Sequence, residues 1–390
     1  MQHVLAGIEF QMSLLLFVSL GGYLLASRIG QPAVVGIILM GLAIGPSGLG
    51  LVTYSEFVKS IAHLGAIVLL FVVGLEFELK DLANPKYVAI GAAGVLVPLI
   101  GGYWVAQWFG HQGQPAWFIG VALTATSIAI TADALREMGR LQTAAAKAII
   151  GAAVVDDVLA LMALGMVRQM AEGDLSPGRL AWLLAQALAF VGLGAWLGLR
   201  LMAPLTARLD RTVLAGRYPE VTFIFAMMLA FFYALLAEML GLSAIVGSFL
   251  AGVALSQLKA GHGKGFREGA EYLRVIFSSV FFVSLGVLTD LQALSWPVVW
   301  LLLALSVVGT LTKVLGCGLP ALSLGLGTRE ALAVGMGMVP RGEVAMIVAL
   351  IGLDNGVIDQ PVYLAIVAMS LLTTIFPPLV LKNWIYRKPA

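Results

Sequence analysis

Residues 143–168 read TAAAKAIIGAAVVDDVLALMALGMVR, an apolar stretch long enough to cross a bilayer as a helix. Two adjacent carboxylates, Asp156 and Asp157, lie near its middle. A charged side chain at the centre of a membrane helix costs about 2.5–3.5 kcal/mol on insertion scales, so it indicates a functional position. The stretch therefore predicts a membrane-spanning helix with titratable groups at the midplane.

The composition of the whole chain agrees with this stretch. Of its 390 residues, 60% are hydrophobic and 11% are charged, whereas soluble domains have about 45–50% and about 25%. So few charges cannot cover the surface of a water-soluble protein of this size. The composition excludes a soluble enzyme, a disordered chain and a disulfide scaffold. A net charge of +2, with no basic tract, argues against a nucleic-acid partner.

Apolar segments recur along the chain and predict an all-α polytopic membrane protein with thirteen transmembrane helices. The N-terminus is predicted outside, because 18 of the 23 Lys and Arg then fall in inside loops and only three in outside loops. The C-terminus is then cytosolic, and we expect the protein in the cell (inner) membrane. The predicted spans are 9–27, 33–52, 58–77, 87–108, 115–136, 143–168, 179–201, 219–239, 242–258, 272–289, 296–323, 329–352 and 361–384.

Three further charged residues fall near the predicted midplane: Lys313, Arg341 and Glu343. Lys313 can pair with one of the two aspartates while the other faces a cavity, because adjacent side chains on a helix diverge by about 100°. Two close carboxylates titrate as a pair, and their oxygens suit both protons and small hard cations. The alternative is a purely structural ion pair between two helices, which would leave the second aspartate uncompensated.

Two of the spans are predicted to be interrupted. Span five carries Thr124–Ser127 (TATS) at its middle, and span twelve carries Val339–Glu343 (VPRGE) there. Pro340 lacks a backbone donor and Gly342 permits unusual dihedral angles. Arg341 can neutralise exposed carbonyl ends, and Glu343 exposed amide ends. The alternatives are a kink with a snorkelling pair in span twelve and hydroxyls that bond back to the helix in span five.

The interrupted spans occupy matching positions in the chain. They are seven spans apart, an odd number, so they run in opposite directions. Spans 1–6 and 8–13 therefore fit an inverted-topology repeat with span 7 between the halves. Two interrupted helices at corresponding positions point to the binding site of a transporter.

The same residues resemble the second cation:proton antiporter family, in particular sodium/proton antiporters of the NapA type and, more distantly, NhaA. The similarity runs from end to end and rests on Gly151–Asp157 (GAAVVDD), Thr126-Ser127, Lys313 and Pro340–Val344 (PRGEV). It implies an NhaA-like fold with two crossing broken helices, a homodimer surrounded by membrane lipids, and elevator-like alternating access. It also implies a core transport domain, a dimerisation domain and a linker. The dimerisation domain comprises residues 1–86 and 218–290, and the core transport domain comprises residues 87–168 and 291–390. The linker helix and its cytosolic loop comprise residues 169–217.

The resemblance also implies roles for the site residues. Asp157 is the main ion- and proton-binding carboxylate, and Asp156 pairs with Lys313 when no sodium is bound. The two carboxylates are thus the expected sodium ligands. Thr126 and Ser127 line the site. In the same way, Glu343 and Arg341 balance the charge of the crossing half-helices.

The sequence therefore predicts an electrogenic carrier that exchanges cytosolic sodium (or lithium) for external protons, without a cofactor and without enzymatic activity. The potassium-efflux branch of the family has Gln-Asp where this chain has Asp156-Asp157, yet a potassium/proton antiporter of the same fold remains the alternative. The interrupted helices argue against a channel, and no HExxH or nucleophile–base pair supports an intramembrane enzyme. If a larger parent protein has a cytosolic regulatory domain after the last span, this sequence does not include it.

Overall fold

The computed structural model describes residues 7–77, 84–172, 176–218, 220–256, 264–289, 291 and 295–387. Seventeen α-helices and two π-helical turns, Gly198–Met202 and Leu381–Ile385, make up the regular structure of these residues. The α-helices are α1 (Ile8–Arg28), α2 (Ala33–Ile44), α3 (Glu56–Gly74), α4 (Pro85–Trp108), α5 (Gln114–Ala122), α6 (Ile128–Glu137), α7 (Ala144–Glu172), α8 (Pro177–Leu197), α9 (Ala203–Asp210), α10 (Val213–Arg217), α11 (Glu220–Met239), α12 (Ala244–Leu255), α13 (Lys264–Val287), α14 (Trp296–Ser323), α15 (Thr328–Gly337), α16 (Glu343–Asp354) and α17 (Gln360–Val380).

Within the described residues, nine helical segments are long and apolar enough to cross a membrane. The protein is thus an all-helical, multi-pass membrane protein, as the composition predicts. Two predicted spans are shorter than expected, because α2 and α12 have 12 residues each. Such a helix rises only about 18 Å, less than the hydrocarbon core of about 30 Å. The number of thirteen spans therefore stays a prediction.

The two short helices end or begin at residues that the sequence analysis placed inside a span. Helix α2 stops at Ile44 because Gly45 caps it and Pro46 follows. Helix α12 begins after Ser243, whose hydroxyl accepts a hydrogen bond from the Ile245 N–H at 3.3 Å. Capping at Gly45 thus ends α2 eight residues before the predicted end of its span at 52, whereas α12 begins only two residues after the predicted start of its span at 242.

The predicted interruptions are present in the structure. Predicted span five consists of α5 and α6, separated by residues 123–127, and predicted span twelve consists of α15 and α16, separated by residues 338–342. In the first break the Thr124 hydroxyl donates to the Val121 carbonyl at 2.7 Å, the back-bonding geometry that competes with a helix. In the second, Pro340 has no N–H to donate.

The chain divides into two compact units by its internal contacts. The first comprises Met1–Val58, Asn84–Ser176 and Phe282–Ala390, and the second comprises Lys59–Ala83 and Pro177–Phe281. In the first unit, a core of buried apolar side chains includes Phe118, Leu305 and Ile366. In the second, Ile67, Ala234 and Ala244 pack together. Residues up to Val58 thus share a unit with the aspartate helix, and the functional roles assigned to residues 1–86, 87–168, 169–217, 218–290 and 291–390 stay predictions.

Two glycines let the backbones of α2 and α13 touch within the first unit. A Cβ at Gly41 would lie 2.2 Å from the Val283 carbonyl oxygen, and a Cβ at Gly286 would lie 2.2 Å from the Ile38 carbonyl oxygen. Side chains of any size are excluded at such distances. This close approach is the way in which small residues hold membrane helices together when lipid supplies no hydrophobic driving force.

We predict that Gly286→Ala lowers thermal stability, because the added methyl group must displace backbone and overpacking costs about 1–3 kcal/mol. The measurement is the melting temperature of the purified protein in detergent. Gly192→Ala is the matched control, since Gly192 lies in α8 and a Cβ there meets nothing within 4 Å. Equal melting temperatures for the two variants would contradict the close packing of α2 and α13.

Candidate functional site

A buried ion pair joins α7 to α14. Lys313 Nζ donates to Asp156 Oδ1 at 2.6 Å, and both side chains are fully buried. Among the described residues, Asp156 Oδ2 makes no hydrogen bond of ordinary length. The structure thus brings together two of the predicted site residues from positions 157 apart in the sequence.

Helix α4 packs beside this pair through a glycine. A Cβ added at Gly94 would lie 2.6 Å from Cys317 Sγ, 3.6 Å from Asp156 Oδ1 and 3.8 Å from Lys313 Nζ. Sequence reasoning missed Gly94 and Cys317 as neighbours of the site. The available signal was the small-residue spacing of Gly91 and Gly94, since a Cβ at Gly91 would lie 2.7 Å from the Ala152 carbonyl oxygen of the aspartate helix.

Asp157 and the predicted hydroxyl residues are also buried. Asp157 is 8% exposed, Thr126 4% and Ser127 5%. Thr126 and Arg341 lie close enough to act electrostatically on the Asp156 carboxylate. Ser127 Oγ makes no hydrogen bond within the described part of the chain. The candidate site therefore combines carboxylate and hydroxyl oxygens in one buried region of the first unit.

The two helix breaks lie against each other. The Ser127 N–H donates to the Pro340 carbonyl at 2.7 Å, and the Thr126 hydroxyl donates to the Met338 carbonyl at 3.3 Å. The Thr131 hydroxyl donates to the Gly337 carbonyl at 2.6 Å. Each break thus supplies partners for backbone groups that the other leaves outside a helix, as non-helical backbone at membrane depth requires.

Arg341 lies at the carboxyl end of α5. Its guanidinium donates twice to the Leu123 carbonyl, from Nε at 3.2 Å and from Nη2 at 2.9 Å. It also donates to the carbonyls of Val339 at 2.8 Å and Gly309 at 3.0 Å. The side chain is fully buried. A positive charge at this place opposes the negative end of the half-helix dipole.

Thr374 of α17 supports the same region, and sequence reasoning missed it. Its hydroxyl donates to the Arg341 backbone carbonyl at 2.7 Å. The sequence feature that could have revealed it is the polar pair Thr373-Thr374, which lies in an apolar helix just before Pro377-Pro378. Glu343 begins α16, but its side chain lies outside the described residues, so its part in charge balance stays a prediction.

The chemistry of the described oxygens fits hard monovalent cations and protons. Carboxylate and hydroxyl groups are the hard ligands that such ions prefer, whereas soft or borderline metals select thiolate and imidazole. No group of three or more His, Cys, Asp or Glu side chains that could hold a metal occurs in the residues that the structure describes.

Comparison with known proteins gives a match over almost the whole chain. The profile of the transmembrane sodium/hydrogen exchangers matches residues 14–384. The Na(+)/H(+)-K(+) antiporter GerN of Bacillus cereus is 33% identical over 382 residues, which cover 96% of this chain and 95% of that protein. The high-affinity Na(+)/H(+) antiporter NhaS3 of Synechocystis sp. is 31% identical over 420 residues, which cover 96% of this chain and 89% of that protein.

The chain is also similar in fold to a solved structure. The sodium proton antiporter MjNhaP1 of Methanocaldococcus jannaschii superposes with a TM-score of 0.75 at 17% identity, over 98% of this chain and 100% of that chain. The two relatives named above are both antiporters. The chain belongs to the family of transmembrane sodium/hydrogen exchangers.

Proposed function

We propose that the protein exchanges cytosolic sodium (or lithium) for external protons. The observation that carries the proposal is the fully buried Asp156–Lys313 pair at 2.6 Å, placed with Asp157 near two helix breaks that face each other. Family membership and the antiporter names of the relatives support cation/proton exchange as the activity.

In the proposed mechanism, sodium and protons compete for Asp157 and its neighbour Asp156. A sodium ion needs oxygen ligands to replace its water. Asp156 Oδ2 and Ser127 Oγ are buried oxygens that make no hydrogen bond of ordinary length among the described residues. Sodium binding releases Asp156 from Lys313, because one carboxylate cannot fully compensate both cations. Protonation of the carboxylates has the opposite effect and expels the ion.

The proposed exchange moves net charge. Two protons entering for each sodium leaving transfers one elementary charge, worth about 2.3 kcal/mol per 100 mV. An inside-negative membrane then drives sodium out of the cell. Lys313 either carries one of the protons or only switches its ion pair, and the voltage experiment below separates these roles.

We further propose that the protein is a NapA-type antiporter with thirteen spans, an inverted repeat and an outward N-terminus in the cell membrane. The two helix breaks face each other and lie in spans that are predicted to run in opposite directions, which supports the inverted repeat. Residues 87–168 and 291–390 form the moving core of a homodimer, and residues 1–86 and 218–290 hold the dimer together. Elevator movement of the core past the dimerisation domain gives access from alternate sides.

Potassium/proton exchange is the second candidate, and one observation favours it. The GerN relative is named a Na(+)/H(+)-K(+) antiporter and is 33% identical to this chain. Selectivity between sodium and potassium depends on ligand number and cavity size. Flux measured against a panel of cations at fixed pH and voltage decides between the two ions.

We predict that Asp157→Asn abolishes sodium-dependent proton flux, because an amide neither titrates nor offers a second anionic oxygen to the ion. The measurement is dequenching of a pH-sensitive dye in proteoliposomes after a sodium pulse. Asp210→Asn is the matched control, since Asp210 ends α9 and contacts Thr222 at 3.3 Å, away from the site in sequence and in the second unit. Full activity of Asp157→Asn would show that the assigned carboxylate is wrong.

Voltage separates the possible roles of Lys313. We expect an imposed inside-negative potential to accelerate sodium export by the unmodified protein, because one net charge crosses per cycle. If Lys313 carries a transported proton, Lys313→Gln retains exchange but loses this acceleration. Voltage-independent flux in the unmodified protein would exclude electrogenic exchange, and unchanged voltage dependence in Lys313→Gln would exclude Lys313 as a charge carrier.

A further inference from the structure

Two adjoining cavities lie where the end of α6, the loop between α1 and α2, and the π-helical turn at Leu381–Ile385 meet. A polar cavity of about 610 Å³ is lined by charged and aromatic residues that include Arg140, Tyr386 and Arg387. An apolar groove of about 460 Å³ is lined by residues that include Leu25, Leu39 and Leu379. Asn383 lines both cavities, so a polar space and an apolar space share one wall.

The polar cavity has an excess of positive charge. Its lining contains Arg140, Lys382 and Arg387 against a single carboxylate, Glu137. That carboxylate is already engaged, because Glu137 Oε2 accepts from the Ala33 N–H at 2.7 Å and Oε1 accepts from Lys382 Nζ at 3.3 Å. Two guanidinium charges therefore remain in excess, which suits an anion.

Tyr386 gives the basic wall a fixed geometry. The Arg140 and Arg329 guanidinium carbons lie 5.3 Å and 5.9 Å from the centroid of its ring, and Arg329 Nε also donates to the Ile385 carbonyl. Burial raises the pKa of the Tyr386 phenol above its ordinary value, so the phenol stays neutral at physiological pH. A neutral phenol adds no negative charge that would repel an anionic ligand.

The apolar groove opens on the outside of the helix bundle. Leu25 is 54% exposed, Ile29 71% and Leu39 47%, and all three line the groove. At its border with the polar cavity, Asn383 Nδ2 donates to Gln31 Oε1 at 2.8 Å. Apolar side chains that a membrane helix leaves uncovered face lipid or a second copy of the chain. The excess of positive charge in the adjoining cavity favours a lipid with an anionic headgroup over a second copy.

We propose that these cavities bind one anionic glycerophospholipid, with its phosphate in the polar cavity and an acyl chain in the apolar groove. The predicted topology places this region on the cytosolic side, where anionic lipids give the leaflet its negative potential and basic pockets between helices bind their headgroups. Trp384 lines the polar cavity and is 76% exposed, as expected of a side chain at the membrane–water interface. The proposal is independent of which ions the protein transports.

The test is native mass spectrometry of the full chain released from detergent containing equal amounts of phosphatidylglycerol and phosphatidylcholine. We expect the unmodified protein to retain phosphatidylglycerol in preference, and Arg387→Gln and Arg140→Gln each to weaken that retention about fivefold. Arg387 is exposed, so its variant tests the site without disturbing the fold. Leu39→Trp, which fills the groove, is expected to reduce retention of the lipid as well.

Arg211→Gln is the matched control, because Arg211 is an exposed arginine of the loop after α9 and does not line either cavity. It should leave retention unchanged. Equal retention of the two lipids, or an equal loss in Arg211→Gln and Arg387→Gln, would overturn the proposal in favour of non-specific attraction. Complete displacement by added inorganic phosphate, or full retention in Leu39→Trp, would overturn the assignment of the groove to an acyl chain.

Discussion

The Asp156–Lys313 ion pair is the interaction on which the rest of the structure depends. Removing two charges from water costs several kcal/mol per ion, and only a short, well-aligned contact offsets that cost. At 2.6 Å with both side chains fully buried, each ion is stabilised by its partner. Loss of either partner leaves an uncompensated charge, which costs about 3–5 kcal/mol in buried pairs. Because this pair is so costly to break, a cation or proton that binds to its carboxylate changes the free energy of the pair greatly.

The surrounding helices make such a pair possible. Gly94 of α4 leaves room for the two side chains, since a Cβ there would crowd Cys317. The facing breaks bring Thr126 and Arg341 close to the Asp156 carboxylate. Arg341 in turn ties three segments together through the carbonyls of Leu123, Val339 and Gly309. Buried polar groups of the site thus have partners at most positions, while two oxygens, Asp156 Oδ2 and Ser127 Oγ, make no hydrogen bond of ordinary length among the described residues.

Much of this arrangement could be predicted from the sequence, because polar residues are rare in apolar spans. The aspartate pair, Lys313 and both interruptions were found in this way, and the structure places all of them in one unit. Other residues that contribute to the site are not polar, so the sequence pattern did not distinguish them. Gly94 acts through the space it leaves, and Gly309 acts through its carbonyl, so neither position differs in polarity from its neighbours.

The polar cavity and apolar groove were also beyond sequence reasoning, for a related reason. Their walls combine residues far apart in the chain, as the Gln31–Asn383 contact across 352 positions illustrates. Taken singly, Arg140 and Trp384 read as ordinary features of a membrane–water interface, and only their placement together suggests a binding site. The length of α2 was misjudged because Gly45, which precedes Pro46, ends a helix that hydropathy would extend.

The central claim is that sodium and protons compete for carboxylates held by the buried lysine. Calorimetric titration of sodium into the purified protein, repeated in two buffers of different ionisation enthalpy, counts the protons released per ion bound. The account predicts at least one proton released for each sodium, with less release after Lys313→Gln. Sodium binding at the site with no proton release at any pH would contradict it.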